Sequence, residues 1–304
     1  MQPSQEHATG GTEAEAAARE VEFEDSDGNR LEGRLYGDPA TAVASFAFCH
    51  GFLGTQDYVA PDFIRRILGH LPDWAGLSFD YAGFGASPGR PHRLDPFAQV
   101  RTTEAAIDLL ASACPRARSV SLLGISFGSG VALAAGANHP LVDAVVALSA
   151  YRTGEEWLRD MRPLHEHADL VRQVGDDAAA RTAGSPALLP LADVFRRDPD
   201  GAAFERELRT SQPHRLTEVD SVSVERILAF RPVDGTAGLR TKRVLFAHCE
   251  RDVTMWPDHA RRFAADAGAR FDLLAGVDHY EVYQPAHLDR LCATIADFYR
   301  GPAR

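Results

Sequence analysis

Gly124-Ile125-Ser126-Phe127-Gly128 is the segment of this 304-residue chain whose residue types and spacing most plainly carry chemistry. It follows an apolar run, Ser119 to Leu123, and leads into a small-residue stretch, Gly128 to Ala137. A tight strand-to-helix turn is the context in which a G-x-S-x-G serine serves as a nucleophile. Such a turn is strained and leaves no room for side chains two residues either side of the serine; Gly124 and Gly128 supply that room. The turn would lift the Ser126 hydroxyl above the sheet edge and aim the free N–H groups and positive end of the following helix at the site. The competing reading is a glycine-rich turn with an incidental serine, and the flanking strand and helix favour the nucleophile.

A serine hydroxyl is a weak nucleophile at neutral pH and needs a base, most often a histidine oriented by a carboxylate. Both partners are expected downstream, at the C-terminal ends of later strands where loops converge. His279 lies just past the run Phe271 to Leu274 and is the expected base; His248, His259 and His287 fall inside a predicted strand or helices. Asp252 lies just past Val244 to His248 and is the expected acid. Glu250 is its nearest rival, while the side chain of Asp278 should point away from the neighbouring histidine. A cap on the helix beginning near Pro257 would be the other role for Asp252, but Asp258 is better placed for it. Attack on a carbonyl also needs two N–H donors for the oxyanion, one of them on the residue after the nucleophile. That donor is Phe127; the second is expected from His50-Gly51-Phe52-Leu53-Gly54, with Phe52 ahead of Leu53 because Gly51 lets the backbone turn its amides inward.

The elements that must hold these residues follow from hydrophobic pattern. Val21 to Asp25 and Leu31 to Leu35 alternate around Asp27-Gly28-Asn29 and predict a hairpin. Ala42 to Cys49 is nearly all apolar, as a strand buried on both faces requires. Helices are predicted over Asp62 to Leu71 and Pro96 to Ala113, with strands at Ala75 to Phe79, Ser119 to Leu123 and Val142 to Leu148. The rhythm breaks from Tyr151 to about Leu239, where charged helical pieces (155–162, 193–197, 202–209) without a convincing strand suggest an inserted cap. It resumes with strand Val244 to His248, helix Pro257 to Ala267, strand Phe271 to Leu274 and helix Leu288 to Arg300. The domain reading is therefore a tail over 1–19, an α/β core over 20–150 and 240–304, and a helical cap over 151–239. Alternating strands and helices imply a mostly parallel sheet covered on both faces.

Composition narrows the function. The chain has 45% hydrophobic and 25% charged residues, a globular balance. It carries 32 basic and 43 acidic side chains, a net charge of −11 that repels phosphate backbones and anionic lipid. Nucleic acid and membrane are thus not expected partners, and a small-molecule substrate is. No apolar run approaches the roughly 18 residues of a membrane span, and Met1 to Arg19 has no signal-peptide pattern, so a cytoplasmic protein is expected. Cys49, Cys114, Cys249 and Cys292 form no CxxC pair and read as free buried thiols. No metal or cofactor is expected. His165 and His167 at i and i+2 do not share a helix face, Asp198-Pro199-Asp200-Gly201 lacks the other ligands of a calcium loop, and Gly83-Phe84-Gly85 lacks the third glycine of a dinucleotide loop. A homodimer stays open.

From Val21 to Arg300 the chain resembles the α/β-hydrolases. The likeness is carried by His50-Gly51-Phe52, by Phe79-Asp80-Tyr81-Ala82-Gly83-Phe84-Gly85-Ala86-Ser87, by the Ser126 turn, by Asp252 and by His279-Tyr280-Glu281-Val282-Tyr283. The last motif, with the cap before Arg243, is similar to that of capped esterases and C–C hydrolases, a subgroup with relatives in polyketide and secondary metabolism. This implies an ester or thioester hydrolase acting through an acyl-enzyme. Phe52, Phe127, Trp157, Met161 and Trp256 could line an apolar pocket for a medium-sized, partly apolar or polyketide-like substrate. The same fold also supports C–C cleavage, acyl transfer to an alcohol, or acyloxy elimination as in the α/β-hydrolase-like enzymes of tetronate biosynthesis. A silent receptor is the reading from another class, and the intact serine, acid and histidine argue against it.

Overall fold

Alternation in Arg19–Glu24 and Arg30–Tyr36 pairs them as the antiparallel strands β1 and β2, with Val21 opposite Gly33. Asp25 holds their turn by accepting the N–H groups of Asp27 and Asn29 at 3.0 Å. The computed structural model describes residues 18–180, 185–191, 203, 216–234 and 237–301. β1 begins at Arg19, two residues before the strand expected from Val21; what precedes residue 18 lies outside the described residues.

The apolar runs become β3 (Ala44–Cys49), β4 (Trp74–Phe79), β5 (Val120–Ile125), β6 (Val142–Leu148), β9 (Arg243–Cys249) and β10 (Arg270–Leu274). With the hairpin they form one eight-stranded sheet in the order β1-β2-β4-β3-β5-β6-β9-β10. The hairpin pairs antiparallel onto β4, and every pairing from β4 to β10 is parallel. Successive side chains in a strand point to opposite faces, and so Phe46 and Phe48 pack into one apolar layer while Ala47 packs into the other. The layer containing Phe46 is closed by α1 (Ala60–His70) and α8 (Pro285–Arg300), the opposite one by α2 (Pro96–Ala113), α3 (Phe127–Asn138) and α7 (Pro257–Ala267).

Strand order decides where a site can form. From β3 the chain first adds β4 on one side and then returns to add β5 on the other, with Cys49 level with Gly124. The loops after β3 and β5 therefore open side by side at the point of reversal, where open parallel sheets form their ligand crevices.

Between β6 and β9 lie α4 (Gly154–Asp160), α5 (Leu164–Ala180) and α6 (Ser221–Ala229). The Thr153 hydroxyl starts α4 by accepting the N–H of Glu156 at 3.0 Å. This segment also contains a two-stranded antiparallel ribbon, β7 (Leu188–Pro190) and β8 (Glu218–Asp220). It corrects the expectation of helices alone, because strands of three residues are too short to leave a periodic signal. The expected helix at 193–197, the turn at 198–201 and all but residue 203 of the expected helix at 202–209 lie outside the described residues. No helix among the described residues is long and apolar enough to cross a membrane.

Candidate active site

Ser126 sits between β5 and α3 with φ 51° and ψ −125°, a conformation side chains rarely adopt. Packing around the two glycines enforces it. A Cβ on Gly124 would lie 2.3 Å from the Gly128 carbonyl oxygen, and one on Gly128 2.3 Å from that of Cys49. The turn is pinned by the Ser126 N–H, which donates to Leu148 at 2.8 Å. Phe127 opens α3, and its N–H is among the first four that no helical carbonyl accepts.

Three side chains far apart in sequence meet here. His279 Nε2 is 3.0 Å from Ser126 Oγ, and its Nδ1 is 2.7 Å from Asp252 Oδ2. The carboxylate fixes the tautomer: Nδ1–H donates to Asp252, which leaves Nε2 to accept the serine proton. Asp252 is held in turn by the N–H groups of Thr254 and Met255, which donate to Oδ1 at 2.9 and 2.7 Å. Burial alone would raise its pKa, but His279, His248 and the Met255 N–H outweigh that and hold it below the usual carboxylate value. Both rivals are engaged elsewhere: Glu250 accepts from Gly276 N–H, and Asp278 accepts the N–H groups of Tyr280 and Glu281, closing the turn that presents His279. Cys49 and Cys249, on the neighbouring strand ends, are no competing nucleophiles, since burial pushes Cys49 up to about 11 and Cys249 higher still.

The β3 loop approaches from the other side. A Cβ on Gly51 would lie 3.3 Å from that of Ser126, so the backbone leading to Phe52 passes close beside the serine side chain. The Gly54 N–H donates to the Gly51 carbonyl at 3.0 Å, and Leu53 takes φ 51° inside that turn. Gln56 ties the loop to buried Asp80, whose Oδ1 accepts the Gln56 N–H at 2.7 Å. Gly83 and Gly85 both have positive φ; a Cβ on Gly85 would collide with this carboxylate, and one on Gly83 with the Arg90 backbone. The helix after this turn starts only at Pro96, unlike a dinucleotide loop.

Of the expected pocket residues, Phe52, Phe127 and Trp157 form one cluster. Phe52 lies 5.7 Å from Phe127 and 5.6 Å from Trp157, ring centre to ring centre. Met161 is buried in the same apolar layer. Trp256 is not brought into this cluster: it is 52% exposed and packs on His259 ahead of α7. Two neighbours escaped the sequence reading. Tyr151, stacked on Phe127 at 5.6 Å, completes the aromatic cluster. His248 was set aside as a strand residue, yet its Nε2 is 2.7 Å from the Met255 carbonyl and 3.6 Å from Asp252 Oδ2. Its position four residues before Asp252 was the only available signal.

A preoriented histidine between a serine hydroxyl and a buried carboxylate can remove the serine proton, and the Phe127 N–H at the start of α3 is placed to face negative charge developing at Ser126. No group of three or more metal-binding side chains is found among the described residues. Comparison with known proteins agrees with the architecture. The chain is 26% identical over 304 residues to the quorum-quenching protein AidA of Acinetobacter baumannii, covering 93% of this chain and 95% of that one. It is 23% identical to an uncharacterized 31.7 kDa Escherichia coli protein from the traX-finO intergenic region, over 83% of this chain and 88% of that one. The crystal structure of the alpha/beta hydrolase GrgF from Penicillium sp. sh18 superposes with a TM-score of 0.76 at 20% identity, over 93% of this chain and 97% of that one. The model of the alpha/beta hydrolase family matches residues 46–294, and the chain belongs to that family.

Proposed function

We propose that the protein is a serine hydrolase that cleaves an ester or thioester through an acyl-enzyme. The observation that carries this reading is the continuous relay from Ser126 Oγ through His279 to Asp252, at 3.0 and 2.7 Å. His279 Nε2 takes the Ser126 proton as Oγ attacks the acyl carbon. The N–H groups of Phe52 and Phe127 stabilise the oxyanion of the tetrahedral intermediate. Its collapse breaks the bond to the leaving alkoxide or thiolate, which receives the proton from His279. Water, deprotonated by the same imidazole, then releases the acid and restores the serine. Asp252 keeps the imidazole in place and stabilises its cation without taking its proton.

The described part of 151–239 acts as a cap in this reading, since Tyr151 and Trp157 meet Phe52 and Phe127 beside the expected oxyanion donors. An aromatic wall of this kind suits a medium-sized, partly apolar acyl compound, including a polyketide-like one. The similarity to a protein named for quorum quenching is in keeping with a small diffusible substrate.

A fluorophosphonate probe tests the nucleophile: labelling at Ser126 in folded protein is expected, and none in Ser126→Ala. Failure to label the folded wild type would favour a non-catalytic receptor. Turnover in oxygen-18 water tests the reaction. Label in the released acid is expected, whereas an unlabelled acid would mean acyloxy elimination.

A further inference from the structure

The segment that follows β4 grips the loop after β3, which carries Phe52, at both ends. At the near end the His50 ring packs against Tyr81, 4.4 Å between ring centres, and His50 Nδ1 lies 3.1 Å from the Gly51 carbonyl oxygen. At the far end, four residues beyond Phe52, Gln56 meets Asp80 twice. Its N–H donates to Oδ1 at 2.7 Å and its side-chain amide donates to Oδ2 at 3.0 Å. The Ala86 N–H donates to the same Oδ2 at 2.9 Å. Both residues of the pair are buried, Asp80 completely.

Asp80 is itself held firmly. The Ser87 hydroxyl donates to the Asp80 carbonyl oxygen at 2.7 Å and accepts the Glu32 N–H of β2 at 2.9 Å, which fastens the segment to the sheet. Burying a carboxylate is costly unless hydrogen bonds replace its water. Burial pushes the Asp80 pKa up and nearby Asp57 adds to the rise, while the N–H groups of Ala86 and Gln56 oppose it. Two of those three donors belong to the loop of Phe52, and none belongs to Ser126, His279 or Asp252.

We propose that Asp80 is a positioning residue for the hydrolysis: by holding Gln56 it fixes where the Phe52 N–H stands relative to Ser126 Oγ. The inference rests on the reading of Phe52 as an oxyanion donor. Gly51 already packs against Ser126, so the stretch from Gly51 to Gln56 spans from the nucleophile to the buried carboxylate. A donor held at both ends needs no reorganisation when the oxyanion forms.

The kinetics of fluorophosphonate labelling at Ser126 test this, because phosphonylation also develops negative charge on an oxygen beside the nucleophile. Asp80→Asn places an NH2 group where an oxygen accepts, and whichever way the amide turns one N–H of Gln56 loses its acceptor. In this variant kinact should fall by roughly 10- to 100-fold, the scale of an ångström's misplacement, with KI within about threefold of wild type and labelling still complete at long times. Gln56→Met keeps the backbone N–H and gives up only the side-chain donor; kinact should fall by roughly threefold or more, with circular dichroism matching wild type. Should Asp80→Asn not fold, Gln56→Met decides. Unchanged kinact in the folded variants, or incomplete labelling at an unchanged kinact, would show a purely structural role and overturn the proposal. A folded wild type that does not label would instead sink the hydrolase reading, and the positioning role with it.

Discussion

Two carboxylate–histidine pairs in this molecule have similar separations and opposite electrostatics. Asp252 lies 2.7 Å from His279 at the ends of β9 and β10, and Asp160 at the end of α4 lies 3.0 Å from His259 on α7. The Asp252 carboxylate is fully buried and yet held below its usual pKa, because two backbone N–H groups and two histidines face it. Asp160 is pushed above its usual value by burial, and the nearby Glu156 adds to the rise against the opposing pull of His259 and Arg159. A buried carboxylate is therefore stabilised as an anion by the donors built around it, and one histidine is not enough. Only the first pair touches a serine.

The largest expected effect removes what the first pair serves. Ser126→Ala should lower kcat by a factor on the order of 10⁶ by analogy with other serine triads, with circular dichroism unchanged; a variant retaining substantial activity would break the comparison. Asp252→Asn leaves the shape but offers the wrong hydrogen-bond partner to His279 Nδ1, and kcat should fall by about 10⁴-fold.

The buttress of the pair comes next. His248→Phe removes the hydrogen bond to the Met255 carbonyl and leaves that oxygen unsatisfied, a cost of about 1–3 kcal/mol in urea unfolding. Because the Met255 N–H also grips Asp252, kcat should fall together with stability. Burial lowers the pKa of His248 itself, so it acts as a neutral support at physiological pH.

The smallest effect sharpens the contrast, because the two carboxylates respond oppositely to pH. The lowered folded-state pKa of Asp252 means that its stabilisation is complete above the usual carboxylate value and is lost as pH falls through the lowered one. The raised pKa of Asp160 means the reverse: its contribution is complete below the usual value and is lost as pH rises through the raised one. Urea midpoints at pH 7 and below should show Asp252→Asn less stable than wild type by a margin that narrows in acid. Asp160→Asn should equal or exceed wild type at pH 7, by about 1 kcal/mol at most for a pair that keeps some contact with solvent, and lose that advantage in acid. Both variants moving the same way would refute the distinction.

Much of this site was legible in the amino-acid order because its parts are local devices. A glycine two residues before and after Ser126 is required by backbone contacts under 3 Å, and a strand followed by a short loop announces Asp252 and His279. The buried parallel strands announced themselves as apolar runs, since burial on both faces removes the alternation an exposed face would impose. What depends on long-range closure was not legible. The β7–β8 ribbon pairs strands separated by 27 intervening residues, and neither has length enough for a pattern. Trp256 and Trp157 are alike as sequence, one exposed and the other buried against Phe52, because which side of a turn a ring takes is settled by neighbours from other elements.

The order of residues by itself determined the strand-helix alternation, the strained serine turn and the identity of its two partners, all of which follow from spacing and backbone sterics. Only the tertiary structure decided that His279 stands 3.0 Å from Ser126 and that His248 holds the Met255 carbonyl beside Asp252. Those facts depend on how the sheet brings distant loops together and on which donors burial leaves within reach.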